Sequence, residues 1–312
     1  MHAKVLTLAL AGALTLVGMP AALAQEATPV GAPNLFADLG LPELSVTASG
    51  NTLSVDQAEI PSGRYLVHLV DEIGNPDLAT GFVRLDEGET LNDLSYADEI
   101  AAGTPAPAEE PPVDSYAFLY DNYISGGPSA VSPYVVVDLP AGDYGIWPDN
   151  PFSDIPAAAL TVTGDPSAQI SGPEPEASAT IVEEGQGGQA FKFTVDGGLQ
   201  AGPQIVKIVN ASDQPHFVIA FQYPEPITQD QVMNALMFDP SSGATPSPDM
   251  LDFGKMAFNG YASAQSAGTT QWVVMNLTSG QAVLACFISD PKSGGVPHAF
   301  EGMVHLVDVS GS

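Results

Sequence analysis

Apolar and polar residues alternate along most of the chain in short runs bounded by Gly, Asn, Asp or Pro, the period-two pattern of strands that bury one face. Leu66, Val70 and Phe82 mark such runs early in the chain, and Ile205–Val209 with Phe217–Phe221 mark them later. Two stretches break the pattern. "PITQDQVMNALMF" sets Thr228 and Gln231 at capping-box spacing, with Ile227, Val232 and Leu236 on one face, which predicts a short helix; Met233 and Met237 read as core packing. "ETLNDLSYADEI" repeats the device with Thr90 and Asp93.

The chain repeats itself. "GRYLVHLVDEIGNPDLATGFVRL" from Gly63 lies without a gap on "GPQIVKIVNASDQPHFVIAFQYP" from Gly202, Pro76 falling on Pro215. "YVVVDLPAGDYGIWPD" from Tyr134 lies on "WVVMNLTSGQAVLACF" from Trp272 at nearly the same offset. Between the copies, "GDPSAQISGPEPEAS" (164–178) has almost no apolar content and reads as a linker. The expected organisation is a leader over 1–24, a first domain over 41–165, a linker over 166–176 and a second domain over 177–312. The fold class is all-β: two Greek-key β-sandwiches in tandem, each with a short helical insertion.

Composition supports many turns, with 28 Pro and 31 Gly in 312 residues. It also carries 37 acidic against 7 basic residues, a formal net charge of −30, which disfavours nucleic acid and anionic membranes as partners. The same charge serves solubility and can steer a cationic partner. At the N-terminus, His2 and Lys4 precede an apolar run from Val5 to Val17, and "AALA" ends at Ala24. This is the pattern of a cleavable export signal, so a secreted or periplasmic protein is expected; the run is short for a bilayer and no comparable one follows, so no transmembrane span is expected.

Outside the cytoplasm a thiol is ordinarily paired, yet Cys286 is the one cysteine of the chain. It is buried, or dimerises, or is held by a metal. Behind it, in "LACFISDPKSGGVPHAFEGMVHLVDV", come His298 and Met303, and earlier "DQPHF" opens a strand with His216. Each of these alone reads as an ordinary structural residue; His305 reads as surface, and His68 falls opposite Lys207 rather than a donor.

Taken together the second half resembles the cupredoxins, the plastocyanin and azurin family, whose copper is held by an early His and a late Cys, His and Met. The resemblance makes both halves cupredoxin-like. It implies one type 1 copper site in the C-terminal domain, with His216 and His298 as imidazole ligands, Cys286 as thiolate and Met303 as the weak axial thioether. The donor types suit an ion that cycles between Cu(I) and Cu(II) with little rearrangement. "HAFEGM" has the family's His-to-Met spacing, whereas the loop 287–297 is longer than in small cupredoxins, long enough to hold His298 or to swing it away. In the first half Asp77 and Pro148 stand where His216 and Cys286 stand in the second, so no such site is expected there.

The expected function is that of an exported one-electron carrier, not an enzyme, meeting a redox partner protein, cationic where the charge steers it, with the exposed edge of His298 as the electron's exit. A trinuclear copper cluster needs more histidines than the five present, of which His2 belongs to the leader. The alternative is a metal-free cupredoxin-like binding or structural module of the cell envelope or extracellular space.

Overall fold

The computed structural model describes residues 32–94, 117–149, 155–238, 245–247 and 250–311; the leader expected over 1–24 and the end of the first helical stretch lie outside them. The first half runs through β1 (Glu43–Ser49), β2 (Thr52–Val55), β3 (Glu59–Pro61), β4 (Gly63–Asp71), β5 (Thr80–Arg84), helix α1 (Ala117–Asp121), β6 (Tyr123–Ile124), β7 (Tyr134–Leu139), β8 (Gly142–Pro148) and β9 (Ala158–Thr163). The second runs through β10 (Ala179–Gly185), β11 (Phe191–Asp196), β12 (Leu199–Gln200), β13 (Gly202–Asn210), β14 (His216–Gln222), helix α2 (Gln229–Leu236), β15 (Ala257–Gln265), β16 (Thr270–Leu277), β17 (Gly280–Ala285), β18 (Ser289–Asp290), β19 (Val296–Pro297) and β20 (Val304–Ser310).

The two halves share one strand order. A five-stranded sheet β3-β9-β8-β5-β6 in the first is matched by β12-β20-β17-β14-β15 in the second. The strands that face them join in a single eight-stranded sheet, β11-β10-β13-β16-β7-β4-β1-β2, which reads β11-β10-β13-β16 from one end and β2-β1-β4-β7 from the other. Each half is thus a Greek-key sandwich, and the sandwiches meet edge to edge where β16 pairs antiparallel with β7, Trp272 opposite Val136. The halves are therefore joined by a strand ladder and not by the linker alone; residues 166–176 carry no helix or strand.

The ladders follow the alternation. In β13 Val206 and Ile208 are fully buried while Val209 and Lys207 lie half-exposed. In β7 and β16 the alternation fails: Val135, Val136 and Val137 are all buried, as are Trp272, Val273, Val274 and Met275. The outer face of this seam is covered by the segment that leads into β1, where Ala32, Phe36 and Leu41 pack on Leu66, Val136, Trp272 and Val274. The inner face belongs to one core that runs through both sandwiches and includes Cys286 and Met303.

Helix α2 begins as expected. Thr228 Oγ1 accepts from the Gln231 N–H and the Gln231 side chain accepts from the Thr228 N–H, a full capping box. Val232, Ala235 and Leu236 bury against Phe221, Leu251 and Val283, with Met233 packed beside them. Met237 corrects the expectation: it stands past the helix end and is 59% exposed. In the first half Thr90 donates to Asp93, but only a 3-10 turn over Leu91–Leu94 follows within the described residues.

Arg64 ties both halves and the linker together. Its Nε and Nη2 donate to the two oxygens of Asp138 at 2.7 and 2.9 Å, Nη1 donates to the Pro173 carbonyl at 3.3 Å, and the guanidinium lies 4.6 Å over the Trp272 ring. Arg64→Ala is expected to lower unfolding free energy by about 1–3 kcal/mol in denaturant titrations, and Arg64→Lys to recover little of it, because an ammonium offers no planar fork.

Candidate metal centre

Four chain segments bring their side chains to one end of the second sandwich. His216 opens β14, Cys286 follows the last residue of β17, His298 opens a 3-10 turn over His298–Glu301, and Met303 leads into β20. All four are fully buried. The Sγ of Cys286 lies 3.7 Å from Nδ1 of His216 and 3.7 Å from Nδ1 of His298. The three donor atoms fall within 4.8 Å of one another, and this is the one such group of His, Cys, Asp and Glu among the described residues.

Backbone hydrogen bonds tie Met303 to two of the residues of the cluster. The Met303 N–H donates to the His298 carbonyl at 2.9 Å, and the Cys286 N–H donates to the Met303 carbonyl at 3.2 Å. Gly302 makes the return possible: its φ is +111°, and a Cβ there would meet the Phe191 carbonyl oxygen at 2.7 Å. Phe191 itself packs against both imidazoles, 4.9 Å from the His216 ring and 4.3 Å from that of His298, which are 4.5 Å from each other.

The long loop after Cys286 is a built element. Ser289 pairs with Pro297 and Asp290 with Val296, forming a two-stranded hairpin around a 3-10 turn at Pro291–Ser293. Asp290 pins it: its carboxylate accepts from the Lys292 N–H at 2.7 Å, the Gly188 N–H at 2.7 Å, Ser293 Oγ at 3.1 Å and Gln214 Nε2 at 2.8 Å. Burial raises the pKa of Asp290, but these donors outweigh it and hold the group below the usual carboxylate range. The His298 N–H closes the loop on the Ile288 carbonyl at 2.9 Å.

This network sets the proton on His298. A carboxylate only accepts, so Gln214 must turn its amide nitrogen to Asp290 and its Oε1 to His298 Nε2, 2.8 Å away. Nε2 therefore carries the hydrogen and Nδ1 keeps its lone pair toward the sulfur. Burial lowers the His298 pKa to about 4, and burial with the neighbouring His298 holds His216 well below its ordinary value, so both imidazoles are neutral donors at pH 7. For Cys286 burial pushes the thiol up, while the backbone N–H groups of Phe217 and Ile288 draw it down. Those donors would stabilise a thiolate once a cation replaces the proton.

The sequence did not single out Gln214, Asp290 or Phe191. One signal was present for the loop: Asp-Pro followed by Gly-Gly is the composition of a side-chain-capped turn. The expected exposed edge of His298 is corrected, since the ring is fully buried and its outer nitrogen is covered by Gln214. His305 is exposed as expected, and His68 stacks on Tyr134 at 4.3 Å. In the first half Asp77 lies exposed in a turn, Leu78 fills the core beside it, and Pro148 pairs with Thr80. Among the described residues no donor cluster forms there.

No family model matches the sequence, and no curated protein matches it. Solved structures do. Auracyanin from Roseiflexus castenholzii is 17% identical, covers 43% of this chain and 99% of its own, and has a TM-score of 0.26. Copper nitrite reductase from Nitrosomonas europaea is 9% identical over 86% of this chain and 93% of its own, at 0.23. The blue copper oxidase of the same organism is 11% identical over 86% and 85%, at 0.22.

A reductase and an oxidase are enzymes, and their presence among the matches overturns the expectation that this chain is not one. The physical reason is general: a fold fixes where donors stand, while neighbouring sites and surfaces decide whether an electron meets a partner or a substrate. By fold the chain is cupredoxin-like twice over, and its second copy holds a His-Cys-His cluster that fits a blue copper site.

Proposed function

We propose that the protein is an exported blue copper protein that passes single electrons through its second sandwich, with the first sandwich over residues 41–165 and the second over 177–312. The observation that carries this reading is the pair of buried Nδ1 atoms, each 3.7 Å from the Cys286 sulfur. The hydrogen on His298 Nε2 leaves the Nδ1 lone pair facing the thiol, and His216 Nε2 has no hydrogen-bond partner, so a metal-free core leaves buried polar atoms poorly satisfied, which is costly. His216 and His298 would supply imidazole nitrogen, Cys286 the thiolate and Met303 the weaker fourth donor. Copper bound there supplies a one-electron couple between Cu(I) and Cu(II).

The residues around the donors suit that task. The strand ends and the pinned hairpin hold the imidazoles still, and Phe191 and the continuous core exclude water. The leader pattern over 1–24 supports export, and no helix among the described residues is long and apolar enough to cross a membrane. The net charge of −30 supports a cationic redox partner.

Adding Cu(II) to the full chain tests the reading. It should bind one equivalent, give an intense blue absorption, and raise the melting temperature as any ligand of the native state must. A folded protein that stays colourless, with an unchanged melting temperature in excess copper, would sink it. Met303→Leu is expected to keep the colour and shift the reduction potential, read by redox titration, since the thioether contributes little to holding the ion.

A further inference from the structure

Among its described residues the first sandwich gathers no donor cluster of its own, yet it reaches the His-Cys-His cluster of the second. Its segment 117–125 is anchored at home by β6 on β5, Ile124 opposite Val83, and by Phe118 against Trp147 at 5.1 Å. From there it crosses the seam. The Ile124 N–H donates to Ser266 Oγ at 2.9 Å, the Ser266 N–H donates to the Ile124 carbonyl at 3.0 Å, and Ser125 bridges to Gln265. This places α1 over the end of the second sandwich where His298 lies.

Tyr120 makes the contact. Its hydroxyl donates to the Ser289 carbonyl at 2.5 Å, at the root of the hairpin that carries Asp290, and lies 3.4 Å from Gln214 Oε1, the atom that accepts from His298 Nε2. Its neighbour Leu119 is buried. A chain of contacts thus runs from the first sandwich through Tyr120 to Gln214 and on to His298, and the outer edge of the imidazole is closed by residues of both halves.

We propose that the copper-free sandwich serves as the cap of the metal centre, with Tyr120 as the positioning residue that holds Gln214 and the Ser289–Pro297 hairpin against His298. Its functional meaning rests on the blue-copper reading, because a cap over that ring moves the electron's route from an open histidine edge to Gln214 and Tyr120. The structural content does not depend on copper. The aromatic ring excludes solvent from the donors, while the hydroxyl orders the hairpin and, through it, the amide on His298.

Two variants of the full chain, studied without metal, separate these parts. Tyr120→Ala should raise the rate at which a small thiol reagent labels Cys286 by roughly tenfold or more, since labelling of a buried group follows local opening. It should also speed the exchange of the His298 Nε2 hydrogen, read by NMR. Tyr120→Phe keeps the ring and should leave labelling near the wild-type rate, while still speeding that exchange. Wild-type labelling and exchange in both variants, with native circular dichroism, would overturn the proposal. Because each readout is taken on apo protein, a failure here is distinct from a failure to bind copper.

Discussion

Cys286→Ser is expected to abolish the blue absorption of the copper-loaded chain outright. The colour of such a site comes from charge transfer out of a thiolate, and a hydroxyl is neither soft enough nor acidic enough to replace it. Copper affinity should fall by more than the roughly 10–100-fold that follows loss of a residue which only orients a ligand. Gln214→Ala supplies that comparison within the same protein: it removes the acceptor that fixes the His298 tautomer and leaves Asp290 one donor short. His216→Ala should behave like the serine variant, since the imidazole is fully buried and, among the described residues, His298 is the one histidine beside it. The measurement is a copper titration followed by visible absorption, with circular dichroism to show that each variant is folded. If Cys286→Ser still binds copper with unchanged affinity, the sulfur is a buried apolar filler and the metal-free module becomes the better account.

Much of this arrangement could be read from residues before any coordinates. Gly and Pro punctuate runs with a period of two, so the strands declare themselves, and the gap-free match of Gly63 onward with Gly202 onward reappears as two sheets of one order. The capping box at Thr228 and Gln231 is local chemistry and folds as it reads. His216, Cys286 and His298 converge because they stand at the start of β14, the end of β17 and the turn before β20, which lie on the same side of the sandwich.

What the sequence hid depends on contacts between distant residues. The seam is an instance: "YVVV" and "WVVM" are apolar without alternation, which is how strands covered on both faces look, but nothing local says that the two pair with each other or which segment covers them. By its length the loop 287–297 can hold His298 or swing it away, and what decides is Asp290, which draws donors from Gly188 and Gln214, far away in the chain. The role of Tyr120 was out of reach for the same reason, since it lies in the half that lacks the donors and acts on the half that has them.

Glu183→Gln is expected to stabilise the protein above neutral pH by an amount on the order of a few kcal/mol, and to leave it nearly unchanged at pH 4. Glu183 sits in β10, fully buried; Oε2 accepts from Gln265 Nε2 at 2.8 Å, Oε1 is without a partner, and none of the ion pairs among the described residues includes it. Burial, only partly offset by the Gln265 amide, raises its pKa from 4.5 to about 8. The native state therefore keeps a proton that the unfolded chain has already released, and its advantage is complete below about pH 4.5 and is lost as pH climbs to about 8. Glutamine still accepts from Gln265 and never charges, so its stability should not follow that decline. Asp149, also buried and raised by burial against hydrogen bonds from Tyr261, Ser263 and the Ala264 N–H, stays in both proteins and cancels in the difference. Urea midpoints of both proteins between pH 4 and 9 give the curve directly. Parallel curves would mean that Glu183 is ionised in the folded protein at neutral pH, held there by water or a cation at its free oxygen.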